Sequence, residues 1–195
     1  MCRKDARTCV GEYIRLAWDV TNDNSITVER IAERIKKISD GKEHSIDWAI
    51  TQLENENCYE GWEDELRYLL FRYEEHLSEQ RGQQFSNEQW SRIWEDSAAS
   101  SIEHICPQSK GSIERIEPGK EGIFVHRIGN LVILPPGLNS KLQDKLPINK
   151  ADDYISTGLV CATEVANTIK SEGWSEQQII SRETKIIDWI KFTWA

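Results

Sequence analysis

Ser101-Ile102-Glu103-His104-Ile105-Cys106-Pro107-Gln108 is short, rich in β-branched residues and closed by a proline, the pattern of a strand entering a turn. Reading outward, a loop of mixed charge follows, carrying Gly111, Pro118, Gly119 and Gly122. Ile123-Phe124-Val125 is expected to extend the strand system. Leu131-Val132-Ile133-Leu134, set between Gly129 and Pro135-Pro136, reads as a further strand. Leu138 to Lys145 then predicts a brief helix before Pro147. The order is strand, loop, strand, helix.

The flanks are helical. Val28, Ile31, Ala32, Ile35 and Ile38 recur at helical spacing behind Thr27, a suitable N-cap, and the pattern stops near Gly41. A second helix starts at Ser45, and a longer amphipathic one carries Trp62, Leu66, Leu69, Leu70, Tyr73 and Leu77, ending near Gly82. Ser86 with Gln89 forms a capping-box pattern ahead of Trp90, Ile93 and Trp94. Beyond the central segment, Val160 to Ile169 and a stripe of Ile179, Ile186, Ile190 and Trp194 behind Ser175 predict closing helices. The expected fold class is α+β and mostly α-helical, with a small strand-strand-helix unit at about 100–146 embedded among helices. Residues 1–97 are read as a helical N-terminal region and 98–195 as the core with its C-terminal helices, sharing one hydrophobic interior.

At 195 residues with eight tryptophans, the chain has enough apolar surface for ordered packing. Its five cysteines, Cys2, Cys9, Cys58, Cys106 and Cys161, are odd in number and scattered, with no close pair that could form a zinc knuckle or redox motif. No secretory signal is visible, nor any apolar run near the ~20 residues of a membrane span. A reduced, cytoplasmic setting is expected, with no membrane partner.

The formal charge of −9 argues against nucleic acid at first sight, because Lys and Arg drive phosphate binding. Its distribution removes the objection. Residues 51–100 hold twelve acids against four bases, whereas residues 107–150 hold seven bases against four acids. The acidity lies away from the central segment, and an acidic stretch such as 54–65 is by default a solvated helix face.

The central segment contains what phosphodiester hydrolysis needs: a base for water, oxygen donors for a cation, and a group to orient the base. Adjacent strand residues point to opposite faces, so Glu103 and His104 can serve one site only if the strand twists or bulges at its end. Asn139, on the short helix, can bring an oxygen back toward Glu103. Each has a plainer alternative: His104 as a structural hydrogen bonder, Asn130 as a turn residue after Gly129, Asn139 as a helix cap. Lys141, Lys145 and Lys150 are surface charges by default and phosphate contacts if the site is real. His126, beside Arg127, is open to three readings: metal ligand, phosphate contact or strand-end surface residue, with ligation the least favoured. His44 and His76 read as exposed helix residues, and Arg182 as a buried ion-pair anchor.

These residues resemble the HNH-type (ββα-metal) nuclease domain of GmrSD-like modification-dependent restriction enzymes, found as a C-terminal domain or D subunit. Ile102 to Gln108 resembles the acid-His-Ile-x-Pro-Gln signature, with Cys106 where an aliphatic residue is usual. Ile128-Gly129-Asn130-Leu131 resembles the Ile-Gly-Asn-Leu strand, Leu138-Asn139-Ser140-Lys141-Leu142 the helix motif with its trailing Lys145 and Lys150. Trp174, Ile179, Arg182 and Trp189 follow the closing pattern. The resemblance implies His104 as general base, Asn130 orienting its imidazole through a hydrogen bond, and Glu103 with Asn139 as metal ligands. Oxygen donors suit Mg²⁺ or Mn²⁺. His126, Arg127, Lys141, Lys145 and Lys150 are the expected nucleic-acid contacts, and cleavage is expected to leave 5′-phosphate and 3′-hydroxyl ends.

The expected activity is a metal-dependent DNA endonuclease of a defence or restriction system, acting on DNA, modified DNA included. The resembled enzymes pair this domain with a nucleotide-hydrolysing module bearing an Asp-Gly-Gln-Gln-Arg signature. Arg81-Gly82-Gln83-Gln84-Phe85 only echoes it, so a recognition subunit or domain outside this chain is the expected partner. The competing reading is a catalytically inactive module of the same shape that binds nucleic acid or protein.

Overall fold

In the computed structural model, residues 9–23, 25–39, 45–54, 57–84, 87–95, 97–109 and 121–194 are described. His44, Gly41, Ser86 and the loop residues Gly111, Pro118 and Gly119 lie outside them, as do the side chains of Gln89 and Trp90. The chain divides into two compact units, Met1–Gln52 with Trp194–Ala195, and Leu53–Thr193. The helical stretch before residue 97 is thus shared between units, and its later part belongs with the strands.

In the first unit, α1 (Val10–Asn22) and α2 (Val28–Ser39) are tied by an Arg34–Asp19 ion pair of 2.6 Å. The Thr27 hydroxyl accepts from the Arg30 amide at 3.3 Å, which caps α2 as its sequence suggests. α3 (Ile46–Leu53) follows, capped by Ser45 through the Trp48 amide.

The second unit is built around two three-residue strands, β1 (Ile102–His104) and β2 (Leu131–Ile133), paired antiparallel with Ile102 opposite Ile133 and His104 opposite Leu131. The ladder extends one step at each end, Ile105 N–H to Asn130 O at 2.9 Å and Leu134 N–H to Ser101 O at 2.8 Å. So small a sheet is marginal alone. Every strand residue is buried, and α4 (Glu63–Gln80) and α10 (Val160–Glu172) pack on β2, which supplies the missing burial. Glu74 of α4, 1% exposed, accepts the Val160 and Cys161 amides at 2.7 Å each, so one carboxylate both caps α10 and joins the helices.

α5 (Asn87–Trp94) and α6 (Ala98–Ser101) lead into β1. Ile123-Phe124-Val125 does not extend the sheet: it belongs to a helical turn, α7 (Glu121–Val125), and a 3₁₀ turn at Ile128–Asn130 then feeds β2. α8 (Leu138–Leu142) starts behind Gly137, whose φ of 85° is a left-handed conformation that glycine adopts without a Cβ penalty. Pro147 opens α9 (Pro147–Ser156) at a position where the missing N–H costs nothing. α11 (Glu176–Trp194) closes the chain. Among the described residues no helix is long and apolar enough to cross a membrane.

Candidate active site

β1 keeps a regular register through His104, so Glu103 and His104 diverge as strand neighbours must. Both nevertheless border one cleft of about 270 Å³, together with Tyr59, Gln108, Asn139 and Asp144. The strand ends at this point, so the cleft opens over its last two side chains.

Glu103 turns toward α9. Its side chain is 3% exposed, and Oε1 accepts from the Lys150 ammonium at 2.6 Å and more loosely from the Tyr154 hydroxyl at 3.4 Å. Lys150 is fully buried and also donates to the His104 carbonyl at 2.8 Å. Burial pushes the Glu103 carboxyl above its ordinary range, and the ammonium pulls it back only in part. Lys150 is therefore not a surface phosphate contact. A buried charge needs a partner, and it has Glu103.

His104 turns the other way. Its Nδ1 lies 3.2 Å from the Gln108 amide nitrogen and its Nε2 3.2 Å from Nδ1 of His126. With the Gln108 amide nitrogen as donor, Nδ1 accepts and Nε2–H faces His126, the tautomer that leaves Nδ1 able to act as a base. The lone pair a base would use thus lies under Gln108, an exposed side chain that water can displace. Tyr59 meets the His104 ring edge-on at 4.6 Å and stacks on His126 at 5.7 Å. Burial, with His126 and Lys150 adding, pushes the His104 imidazole down to about 3, so the ring is neutral at neutral pH.

Asn130 sits behind the cleft rather than in it. Fully buried, it accepts from the Cys106 amide at 2.9 Å and the Trp174 indole at 3.2 Å, and donates to the carbonyls of Cys106 at 3.1 Å and Val125 at 2.9 Å. The expected hydrogen bond to the His104 imidazole is not formed, because the carboxamide is spent on the backbone that follows β1. Asn139 donates from Nδ2 to the carbonyls of Ala99 at 3.0 Å and Ile102 at 2.7 Å, which fixes its amide plane and leaves its oxygen without a hydrogen bond among the described residues. Gln143, at φ 39° and ψ −127°, holds a conformation rare for a side-chain-bearing residue at the edge of the same cleft.

The expected nucleic-acid contacts separate into groups. Lys141 and Lys145 are at the surface, 3.4 and 3.5 Å from Asp153, in pairs of the kind that contribute little. Arg127 is held by Glu183, with Nε 2.9 Å from the carboxylate, so its guanidinium is committed within the fold. His126 is half-buried, its Nδ1 3.2 Å from Nε2 of His104. Arg182 is an anchor, but to backbone rather than to an acid: Nη1 donates to the carbonyls of Ile128, Gly129 and Leu131 at 3.1, 3.0 and 2.6 Å. Tyr59, Gln108, Asp144 and Tyr154 were not among the sequence candidates. Gln108 stood in the quoted motif without a role, and the other three carried no local signal.

Among the described residues no cluster of three or more His, Cys, Asp or Glu could hold a metal. The donors present suit a different kind of ion. Glu103 Oε2 makes no hydrogen bond among the described residues, and the Asn139 oxygen is likewise unengaged, so two oxygens face a cleft with room for water. That set fits a hard, largely hydrated divalent cation and not a soft or fully caged one. A family model described as GmrSD restriction endonucleases, C-terminal domain, matches residues 43–189, well over half of the chain. No curated protein and no solved structure gives a significant match. The matched span includes both strands, the cleft and the helices that back it, and the chain belongs to the family of GmrSD restriction endonuclease C-terminal domains.

Proposed function

We propose that the chain is the catalytic part of a metal-dependent DNA endonuclease of the HNH (ββα-metal) type, acting in restriction. The observation that carries the reading is the shared cleft: the neutral His104 imidazole, whose Nδ1 lies beside the exposed Gln108, borders it together with Glu103 and Asn139. The strand-strand-helix order of β1, β2 and α8 supports it. Family membership supports DNA as the substrate.

In this mechanism Gln108 yields to water, and His104 Nδ1 takes a proton as the water oxygen bonds to phosphorus. The bond from phosphorus to the 3′-oxygen breaks, the departing oxygen takes a proton from solvent, and 5′-phosphate and 3′-hydroxyl ends are left. An imidazole pushed down to about 3 by burial is a feeble base, but DNA phosphates in the cleft favour its protonated form and raise its basicity. Tyr59 and His126 hold the ring in place. A magnesium ion held by Glu103 and Asn139 would supply charge neutralisation at the phosphate and the departing oxygen. Lys141 and Lys145, exposed beside Asp153, contact the DNA backbone in this reading, and a nucleotide-hydrolysing partner supplies recognition.

One observation favours a second reading, a binding module that does not cut: Glu103 is already paired with Lys150. Nicking of supercoiled plasmid, modified and unmodified, decides between them. The nuclease nicks with magnesium, stops in chelator, and loses roughly 10²–10⁴-fold in rate or more in His104→Ala. Equal nicking by His104→Ala removes the mechanism, and DNA retention without any cleavage favours the binding module.

A further inference from the structure

We propose that Lys150 makes cation loading depend on DNA: its ammonium cancels the buried carboxylate charge at Glu103, so a divalent ion binds firmly only once a phosphate supplies negative charge to the cleft. The proposal rests on the cation reading of Glu103 and Asn139.

The ammonium cannot leave. It is fully buried and fixed at two points, Glu103 Oε1 at 2.6 Å and the His104 carbonyl at 2.8 Å. Glu103 is left with one oxygen to give, so it meets an ion through a single contact, and Asn139 adds a neutral oxygen. A divalent ion on Oε2 therefore shares its carboxylate with a second positive charge a few ångströms away, in a buried setting where that repulsion is weakly screened. The remaining acid among the described cleft residues, Asp144, is exposed, and solvent and salt blunt its field. Without substrate, bulk water is a strong competitor for the ion. A phosphodiester entering the cleft adds both an oxygen ligand and a negative charge, which restores the balance that Lys150 removes. Because binding free energies are reciprocal, the ion must tighten DNA by the same factor as DNA tightens the ion.

The test uses Mn²⁺, whose free-ion paramagnetic resonance signal reports occupancy, in the full chain carrying His104→Ala so that DNA is not cut. Binding is titrated at mildly alkaline pH with and without a short duplex, and the same chain carrying Glu103→Ala in addition supplies the baseline of ions held by DNA itself. Glu103-dependent Mn²⁺ binding at least about tenfold tighter with duplex, and a matching gain in duplex affinity with Mn²⁺, is the expected result. Equal Glu103-dependent affinity with and without duplex overturns the proposal and leaves the cation site standing. No Glu103-dependent binding in either condition overturns the cation reading and the proposal together. Lys150→Met, if folded by circular dichroism, is expected to bind Mn²⁺ at least about tenfold more tightly without DNA. Unchanged affinity in that folded variant also overturns the proposal, and if it does not fold, the chains that keep Lys150 decide.

Discussion

Replacing Asn130 by alanine separates a scaffold role from a chemical one. The side chain is fully buried and makes four hydrogen bonds, to the Cys106 N–H and C=O, the Val125 C=O and the Trp174 indole. Truncation leaves two donors and two acceptors in the interior. Each orphan costs about 1–3 kcal/mol, but the four are neighbours and a water in the vacated space would satisfy some of them, so the sum is not additive. A loss of about 3–5 kcal/mol is expected, equivalent to a fall in Tm of roughly 10 °C for a chain of this size. Urea unfolding followed by tryptophan fluorescence measures it directly. Asn130→Asp sharpens the test, because its second oxygen would face two carbonyls at neutral pH. It should be at least as destabilised as the alanine variant and recover in part as acid protonates the new carboxyl. A loss below about 1 kcal/mol in Asn130→Ala, accompanied by abolished nicking, would refute the reasoning and return the residue to the chemistry.

The His104 imidazole contributes a pH dependence of definite sign. Its folded value, about 3, lies below the 6.5 of the free side chain, so the unfolded chain binds the extra proton. Stability from this residue is fully present above about pH 6.5 and is lost as pH falls toward 3, a span of a few kcal/mol at most. Acid titration of unfolding should show a shallower slope in His104→Gln than in wild type, and identical slopes would remove the attribution. Gly129→Ala should unfold the core or cost about 3 kcal/mol or more, since a Cβ there would stand 2.1 Å from the Ile179 carbonyl oxygen, a backbone atom that cannot swing aside. Thermal denaturation near the wild-type Tm would contradict that contact. Asn139→Ala should raise the magnesium needed for half-maximal nicking, and an unchanged metal titration would leave Asn139 with only its bonds to Ala99 and Ile102.

The strand-strand-helix order was legible because prolines and glycines bound each piece: Pro107 closes the first strand, and Gly129 with Pro135 brackets the second. Ile123-Phe124-Val125 misled because an apolar triplet has no period of its own, and three residues suit a helical turn as well as a strand. Pro147 looked like a stop, yet it begins α9, the helix that carries Lys150 and Tyr154 to Glu103. Lys150 itself is separated from Glu103 by 47 residues, so nothing local distinguishes it from the solvent-facing Lys141 and Lys145. With Asn130 the motif marked the position but not the partner: a carboxamide that orients a ring and one that ties a loop look identical in sequence. Tyr59, from the opposite end of the same unit, reaches the two imidazoles only through tertiary packing.

The closing segment holds the turn behind the cleft in place. Trp174 grips Asn130, Arg182 grips the carbonyls of Ile128, Gly129 and Leu131, and Glu183 grips Arg127, so the turn that delivers β2 is clamped by a segment some fifty residues downstream. A miniature cut out at about 100–146 would contain Glu103, His104, Asn130 and Asn139 and lack both Lys150 and the vice that keeps them in register. Anyone grafting this cutting head onto another protein must carry the tail along with it.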